Sequence, residues 1–233
     1  MNALLSLALS VIIGLTASFP AMAATDAAAQ AVPIPNAAML QQVAQLQHDW
    51  AVANYQTSDK DKQAAFKALV DRASKLTAAY PGQAEPKVWE AIIRAGYAGS
   101  MGGLQSMFSA MPQMKQGRDL LLAAEKIDPT VMHGAVYTTL GSFYYMVPGG
   151  FIGFGDDDRA LAYLKKGLAI APDDMDANYF MGDYWLHEKR YAKAVPYFEK
   201  VLALPDVANR PVYSKGRKAE AAAKLAEAKK HIH

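Results

Sequence analysis

The feature that most restricts this chain is a repeat that emerges when its C-terminal half is laid on itself. Ala160 and Ala194 stand 34 residues apart, and so do Leu168 and Leu202. Each belongs to a longer pattern. In one copy Tyr137, Leu140-Gly141 and Phe143-Tyr144 precede Ala160, Leu164, Leu168 and Pro172. In the other, Asn178-Tyr179-Phe180-Met181-Gly182-Asp183-Tyr184-Trp185 precedes Tyr191, Ala194, Phe198, Leu202 and Pro205. A small residue on each of two antiparallel helices lets their backbones approach, aromatics fill the space toward the next pair, and proline stops the second helix because it lacks a donor and clashes with the preceding turn. One such pair cannot bury its apolar face alone, so copies must stack. The pattern predicts an all-α chain.

The period and residue pattern resemble the tetratricopeptide repeat (TPR). The expected fold is therefore a TPR-like α-α superhelix of stacked antiparallel helix pairs over residues 37–233. A more degenerate copy has Trp89 in the aromatic position, Leu121 and Ala124 on its second helix, and Asp128-Pro129 at its end. An earlier pair is expected at about 37–55 and 60–80, stopped by Pro81-Gly82; Leu40, Val43, Gln47 and Trp50 mark a mostly apolar face with Leu46 beside them. Past Pro205 and Pro211 a last helix, about 214–231, is expected to cap the open end of the stack.

Two long insertions are expected, both between the first and second helix of a pair. Gly141 and Gly182 are 41 residues apart, longer than the period, and the excess falls in Met146-Val147-Pro148-Gly149-Gly150-Phe151-Ile152-Gly153-Phe154-Gly155. The other runs from about Gly99 to Gln116 and carries Met101, Met107, Phe108, Met111 and Met114. Equivalent turns of a stacked array lie on one edge, so the two long apolar intra-repeat loops should meet, with the Phe154 loop touching the segment 107–114. Either they form a local mini-core, because exposed apolar patches are usually avoided, or Phe108, Met111, Phe151 and Phe154 make a contact edge, since methionine-rich surfaces adapt to varied apolar shapes.

Residues 1–23 read as a secretory signal peptide. Leu4 to Leu15 is an apolar run of 12 residues, short of the ~20 that span a bilayer. Pro20 then breaks it, and Ala21-Met22-Ala23 offers small residues for cleavage after Ala23, although only the α-amino group, and no Lys or Arg, precedes the run. An uncleaved apolar anchor is the alternative. Residues 24–36, Ala-rich with Pro33 and Pro35, read as a flexible lead-in. The expected location is the periplasm, with no membrane span after cleavage. With no cysteine, neither a lipid anchor on that residue nor a disulfide is available.

Composition narrows the function classes. A 52% hydrophobic content is globular, and a formal net charge of +2 argues against a general nucleic-acid binder. From Asn209 onward seven Lys and Arg stand against two Glu. This local excess reads as a solvated helix face, or else as a surface for an acidic partner or membrane. Asp156-Asp157-Asp158 and Asp173-Asp174 read as helix N-caps rather than cation ligands. The histidines show no ligand spacing apart from His231 and His233 at the terminus. There is no Gly-x-Ser-x-Gly elbow, no His-Glu-x-x-His and no phosphate loop. No metal, no cofactor and no enzymatic activity are expected.

Beyond the repeat, the chain resembles periplasmic TPR proteins related to the T component of TRAP transporters. The resemblance rests on Leu140-Gly141, on Val147-Pro148-Gly149-Gly150 through Gly153-Phe154-Gly155-Asp156-Asp157-Asp158-Arg159-Ala160, on 178–183 and on the tail after Pro205. It implies a groove or channel and contact with a solute-binding protein that carries small organic ligands. The missing cysteine departs from a lipid-anchored member. In TPR proteins the first helix of each pair lines the concave face. That places Arg94 and Tyr97, then Ser142 and Tyr145, then Tyr179, Asp183 and His187 in a mixed aromatic and polar groove. Arg94 is the candidate carboxylate contact through its planar fork, unless it pairs with an acidic neighbour. The expected function is a protein-binding or assembly scaffold that takes a protein or peptide segment; the alternative is a holder of a small organic ligand serving a TRAP-type transporter and its solute-binding protein.

Overall fold

A computed structural model describes residues 36–102 and 106–232, with the side chains of Ser106 and Met107 outside that description. The expected signal peptide, the expected lead-in up to residue 35 and His233 lie outside the described residues. Within them the elements are α1 (Ala37–Tyr55), α2 (Asp59–Ala79), α3 (Ala84–Ser100), α4 (Ser106–Ile127), α5 (Val131–Met146), α6 (Asp157–Ile170), α7 (Met175–His187), α8 (Tyr191–Ala203) and α9 (Pro211–Lys229), with no strand among the described residues. No described helix is long and apolar enough to cross a membrane.

The repeat logic sets the pairing. Consecutive helices pack as α1/α2, α3/α4, α5/α6 and α7/α8. A Cβ on Gly141 would stand 2.6 Å from Leu164 Cγ of α6, and one on Gly182 would stand 2.9 Å from the Phe198 ring of α8, so only glycine permits these crossings. Ala160, Leu164, Ala194 and Phe198 are fully buried. Leu202 stays exposed, and Val201 takes its expected place in the core. On α1 the buried stripe is Met39, Val43, Leu46 and Trp50, while Leu40 faces out. Asp156 and Asp174 cap α6 and α7, accepting from the backbone N–H of Arg159 at 3.0 Å and of Ala177 at 2.8 Å.

The expectation of a long turn from Gly99 to Gln116 is corrected. α4 begins at Ser106 and runs through Pro112, so Met107, Met111 and Met114 occupy an N-terminal extension of the helix, while Met101 stands at the C-cap of α3. The reason lies in their spacing: Ala110, Met111, Met114 and Gly117 recur at three and four residues and give the extension a face to pack, while Phe108 stays exposed. Of the two long loops expected, the 147–156 segment is the one found among the described residues.

The odd helices form an inner row: α1 packs on α3, α3 on α5, α5 on α7 and α7 on α9. The final helix does more than cap. It packs on α8 and α7 and reaches α1, the first helix of the array. The superhelix therefore closes into a ring. The start of α5 is irregular: Met132 and His133 adopt φ of 51° and 58°, a left-handed conformation that costs a non-glycine residue on the order of 1–2 kcal/mol.

Candidate functional site

Closure is built residue by residue. The segment after α8 is tied back when Val207 N–H donates to Ser214 Oγ at 2.9 Å and that hydroxyl donates to the Arg210 carbonyl at 3.1 Å. Asn209, at φ 61°, turns the chain, and Pro211 supplies a pre-set first helical residue. Arg210 is thereby fixed at the entry to α9. One turn further, Gly216 faces Tyr55 of α1, whose ring occupies the space a side chain would need. Beside it Arg217, only 6% exposed, binds both neighbours. Its Nε lies 2.8 Å from Asp176 Oδ1 of α7, an ion pair without hydrogen-bond alignment, and its Nη1 donates to Glu220 Oε2 at 2.6 Å. Its guanidinium sits 4.2 Å from the centre of the Tyr179 ring. Tyr55 Oη donates to the same Glu220 carboxylate at 3.1 Å, so α1, α7 and α9 meet at one charged node.

The titration of the node follows from burial. Burial alone would lower the Arg217 guanidinium, but Asp176, Tyr55 and Glu220 reverse this and hold it well above its usual value. Burial pushes the phenols of Tyr55, Tyr179 and Tyr213 up. Asp174 is raised too, first by burial and then by the neighbouring Asp176 carboxylate.

The ring surrounds a cavity of about 620 Å³. Its lining is two-ended. Met111, Met114, Met146 and Pro148 line it from α4 and the end of α5, whereas Asp174, Asp176, Arg210, Arg217 and Glu220 line it from α7 and α9. Trp50 and Trp89 also line it, in edge-to-face contact with ring centres 6.1 Å apart.

The expected groove residues divide. Ser142 and Tyr179 line the cavity, the Ser142 hydroxyl donating to the Thr139 carbonyl at 2.8 Å. Tyr145, Asp183 and His187 gather instead in a separate depression of about 320 Å³ with Lys224. There Tyr145 Oη donates to Asp183 Oδ2 at 2.8 Å, and Lys224 lies 3.1 Å from Asp183 Oδ1. Arg94 and Tyr97 line neither space. The Arg94 fork is occupied by Glu90, at 2.7 and 2.9 Å, and by Gln113 of α4 at 2.6 Å, so the acidic-neighbour alternative describes it.

The apolar edge also divides. Met111 Cε approaches Gly153, and Phe154 stacks edge-to-face on Tyr144 beneath the Arg118 guanidinium. The loop and the α4 extension therefore touch, as expected, although Met107 itself lies outside the described side chains. Phe151 and Phe108 do not join this packing, being 112% and 78% exposed.

Sequence reasoning missed Trp50, Trp89, Arg210, Asp176 and Glu220 as lining residues, and placed Arg217 on a solvated face. The remaining basic residues of α9 are largely at the surface. It also missed a surface cluster in which ligating atoms of Asp157, His187 and Glu188 lie within 4.8 Å of one another. His187 is 3.7 Å from Asp157 and rests against the Tyr145 ring.

No protein-family model matches this sequence, and no curated protein matches it. Among solved structures, the chain is similar to a thermophilic TPR protein of Thermus thermophilus, with a TM-score of 0.50 and 15% identity over 79% of this chain and 99% of that one. At that identity the likeness concerns the fold. Together with the paired helices it makes this chain a TPR-like helical repeat protein.

Proposed function

We propose that this protein holds a small, largely apolar molecule in the cavity at the centre of its ring. The observation that carries the reading is closure by α9: a scaffold for an extended peptide keeps its concave face open, whereas here the first and last helices meet and all five odd-numbered helices line one space of about 620 Å³. That volume falls within the roughly 300–1,000 Å³ of small-molecule sites. The aromatic and methionine walls suit an apolar ligand. The signal-like leader supports export to the periplasm. The resemblance to TRAP T components supports a solute-binding protein as the partner that delivers or collects the ligand.

A protein-contact role for the outer edge has its own support. Phe151 and Phe108 stand exposed beside Met111, Met146 and Pro148, which line the cavity, so docking and ligand exchange share one edge. Native mass spectrometry of the full chain purified from periplasmic extract tests the holding role. A bound small molecule is expected, lost on denaturation and in a cavity-filling Ala95→Leu variant. A ligand-free protein whose melting temperature no organic ligand raises would overturn it.

A further inference from the structure

We propose that the ligand is an amphiphile with a carboxylate head, seated with its acceptor oxygens against Trp50, Trp89 and Arg210 and its apolar body toward Met111 and Met114. This rests on the holding role above and names the chemistry of the held molecule.

Unmatched donors carry the inference. The indole Nε1 groups of Trp50 and Trp89 have no hydrogen-bond partner in the protein, although the two residues are only 8% and 5% exposed. An indole nitrogen donates and cannot accept. Arg210 Nε is likewise buried without a partner, and no carboxylate pairs with Arg210 among the described residues. Its guanidinium rests 5.5 Å from the Trp89 ring centre and 4.0 Å from that of Tyr213, so it is held in place without being neutralised. Arg210 also borders a smaller hollow of about 150 Å³.

The acidic side chains of the lining are already engaged. Asp176 and Glu220 bracket Arg217, and Asp174 caps α7. Asp176 Oδ1 lacks an aligned hydrogen bond but lies 2.8 Å from the Arg217 Nε that faces it. Beyond that pair, the lining leaves unmatched the donors of Trp50, Trp89 and Arg210, which favours an anion with two acceptor oxygens, where the planar fork of arginine bonds best. A cationic head would meet Arg210 as a like charge, and a wholly apolar ligand would leave every donor unmatched. The two ends of the cavity fix the orientation: α4 and α9, which bear the methionines and the charges, do not touch. At the ~30 Å³ that a water occupies, the cavity has room for on the order of 20 non-hydrogen atoms.

The test compares decanoate, decanol and decyltrimethylammonium on the unmodified full-length protein, by calorimetry and by tryptophan fluorescence. Decanoate is expected to bind at least tenfold more tightly than either of the others. Arg210→Gln should lose at least tenfold in decanoate affinity while leaving decanol unchanged, and Arg210→Lys should keep part of the difference. Equal binding of decanol and decanoate, or no loss of decanoate affinity in Arg210→Gln, overturns the carboxylate and leaves the holding role standing. Failure of all three probes, with no native ligand found, removes both. The probe comparison needs no variant, so a poorly folding Arg210 variant does not shelter the claim.

Discussion

Replacing Arg217 with methionine tests whether α9 locks the ring. Methionine keeps an apolar stem of similar length and removes the charge. Asp176 and Glu220 would then face each other's charge without the cation that holds them, and the Tyr55 hydroxyl would be left on Glu220 alone. Removing one partner of a fully buried pair costs about 3–5 kcal/mol. The two carboxylate side chains keep 34% and 35% of their surface in water, so a lower figure, about 2–3 kcal/mol, applies here. Loss of the guanidinium over Tyr179 adds on the order of 0.5–1 kcal/mol. The total, about 3 kcal/mol, corresponds to a fall in melting temperature of roughly 6–12 °C for a chain of this size. Thermal unfolding followed by circular dichroism reads this directly, and limited trypsin digestion should show earlier cutting at Lys215 and Lys218 as α9 loosens. Adding Glu220→Gln to Arg217→Met should restore part of the loss, because one stranded carboxylate disappears. A melting temperature within about 2 °C of the parent, with unchanged digestion, would refute the idea that this node closes the ring.

Other predictions follow from single contacts. Asp174 is destabilised by burial in its charged form, so its carboxyl titrates above the usual value of 3.8 in the folded state. A raised acid binds its proton more tightly when folded, and its penalty is full above the folded pKa and absent below the unfolded one. Asp174→Asn keeps a capping side chain, so it should raise the melting temperature at pH 7, with the gain shrinking as pH falls toward 3.8; a gain that grows on acidification would contradict this. Gly141→Ala places a methyl 2.6 Å from Leu164 Cγ and 3.0 Å from its backbone nitrogen, so the ~1 kcal/mol helix-propensity gain is outweighed by overpacking of about 1–3 kcal/mol, and urea titration should show net destabilisation. Gly99→Ala on α3 meets nothing within 4 Å and should leave stability unchanged or raise it by up to ~1 kcal/mol. Phe151→Asp should leave the urea midpoint unmoved, because the side chain is fully exposed, yet reduce cross-linking to the proposed solute-binding partner in periplasmic extract; unchanged cross-linking would remove the loop from the proposed contact edge.

What the sequence revealed and what it concealed divide along a physical line. The period of 34 was legible because Gly141 against Leu164 and Gly182 against Phe198 are contacts between neighbours in the chain, and such contacts constrain residue type at fixed spacing. The α4 extension was obscured because glycines near 102, Pro112 and Gly117 discourage helix locally, while the apolar stripe that rescues it finds its partner in the loop after α5. Arg217 was harder still. Counted with its neighbours it belongs to a basic run, and nothing in a count of charges separates a solvated cation from one held between two carboxylates. Yet Tyr213, Arg217 and Ala221 recur every four residues beside Gly216, and an arginine on the same stripe as a tyrosine and two small residues is a stripe built to be covered. What covers it is α1, at the far end of the described chain. Whether first and last helices meet depends on small rotations summed over every repeat, a quantity that no single copy carries. The cavity exists only because that sum closes, and so the donors of Trp50, Trp89 and Arg210, drawn from α1, α3 and the entry to α9, become one site only in three dimensions.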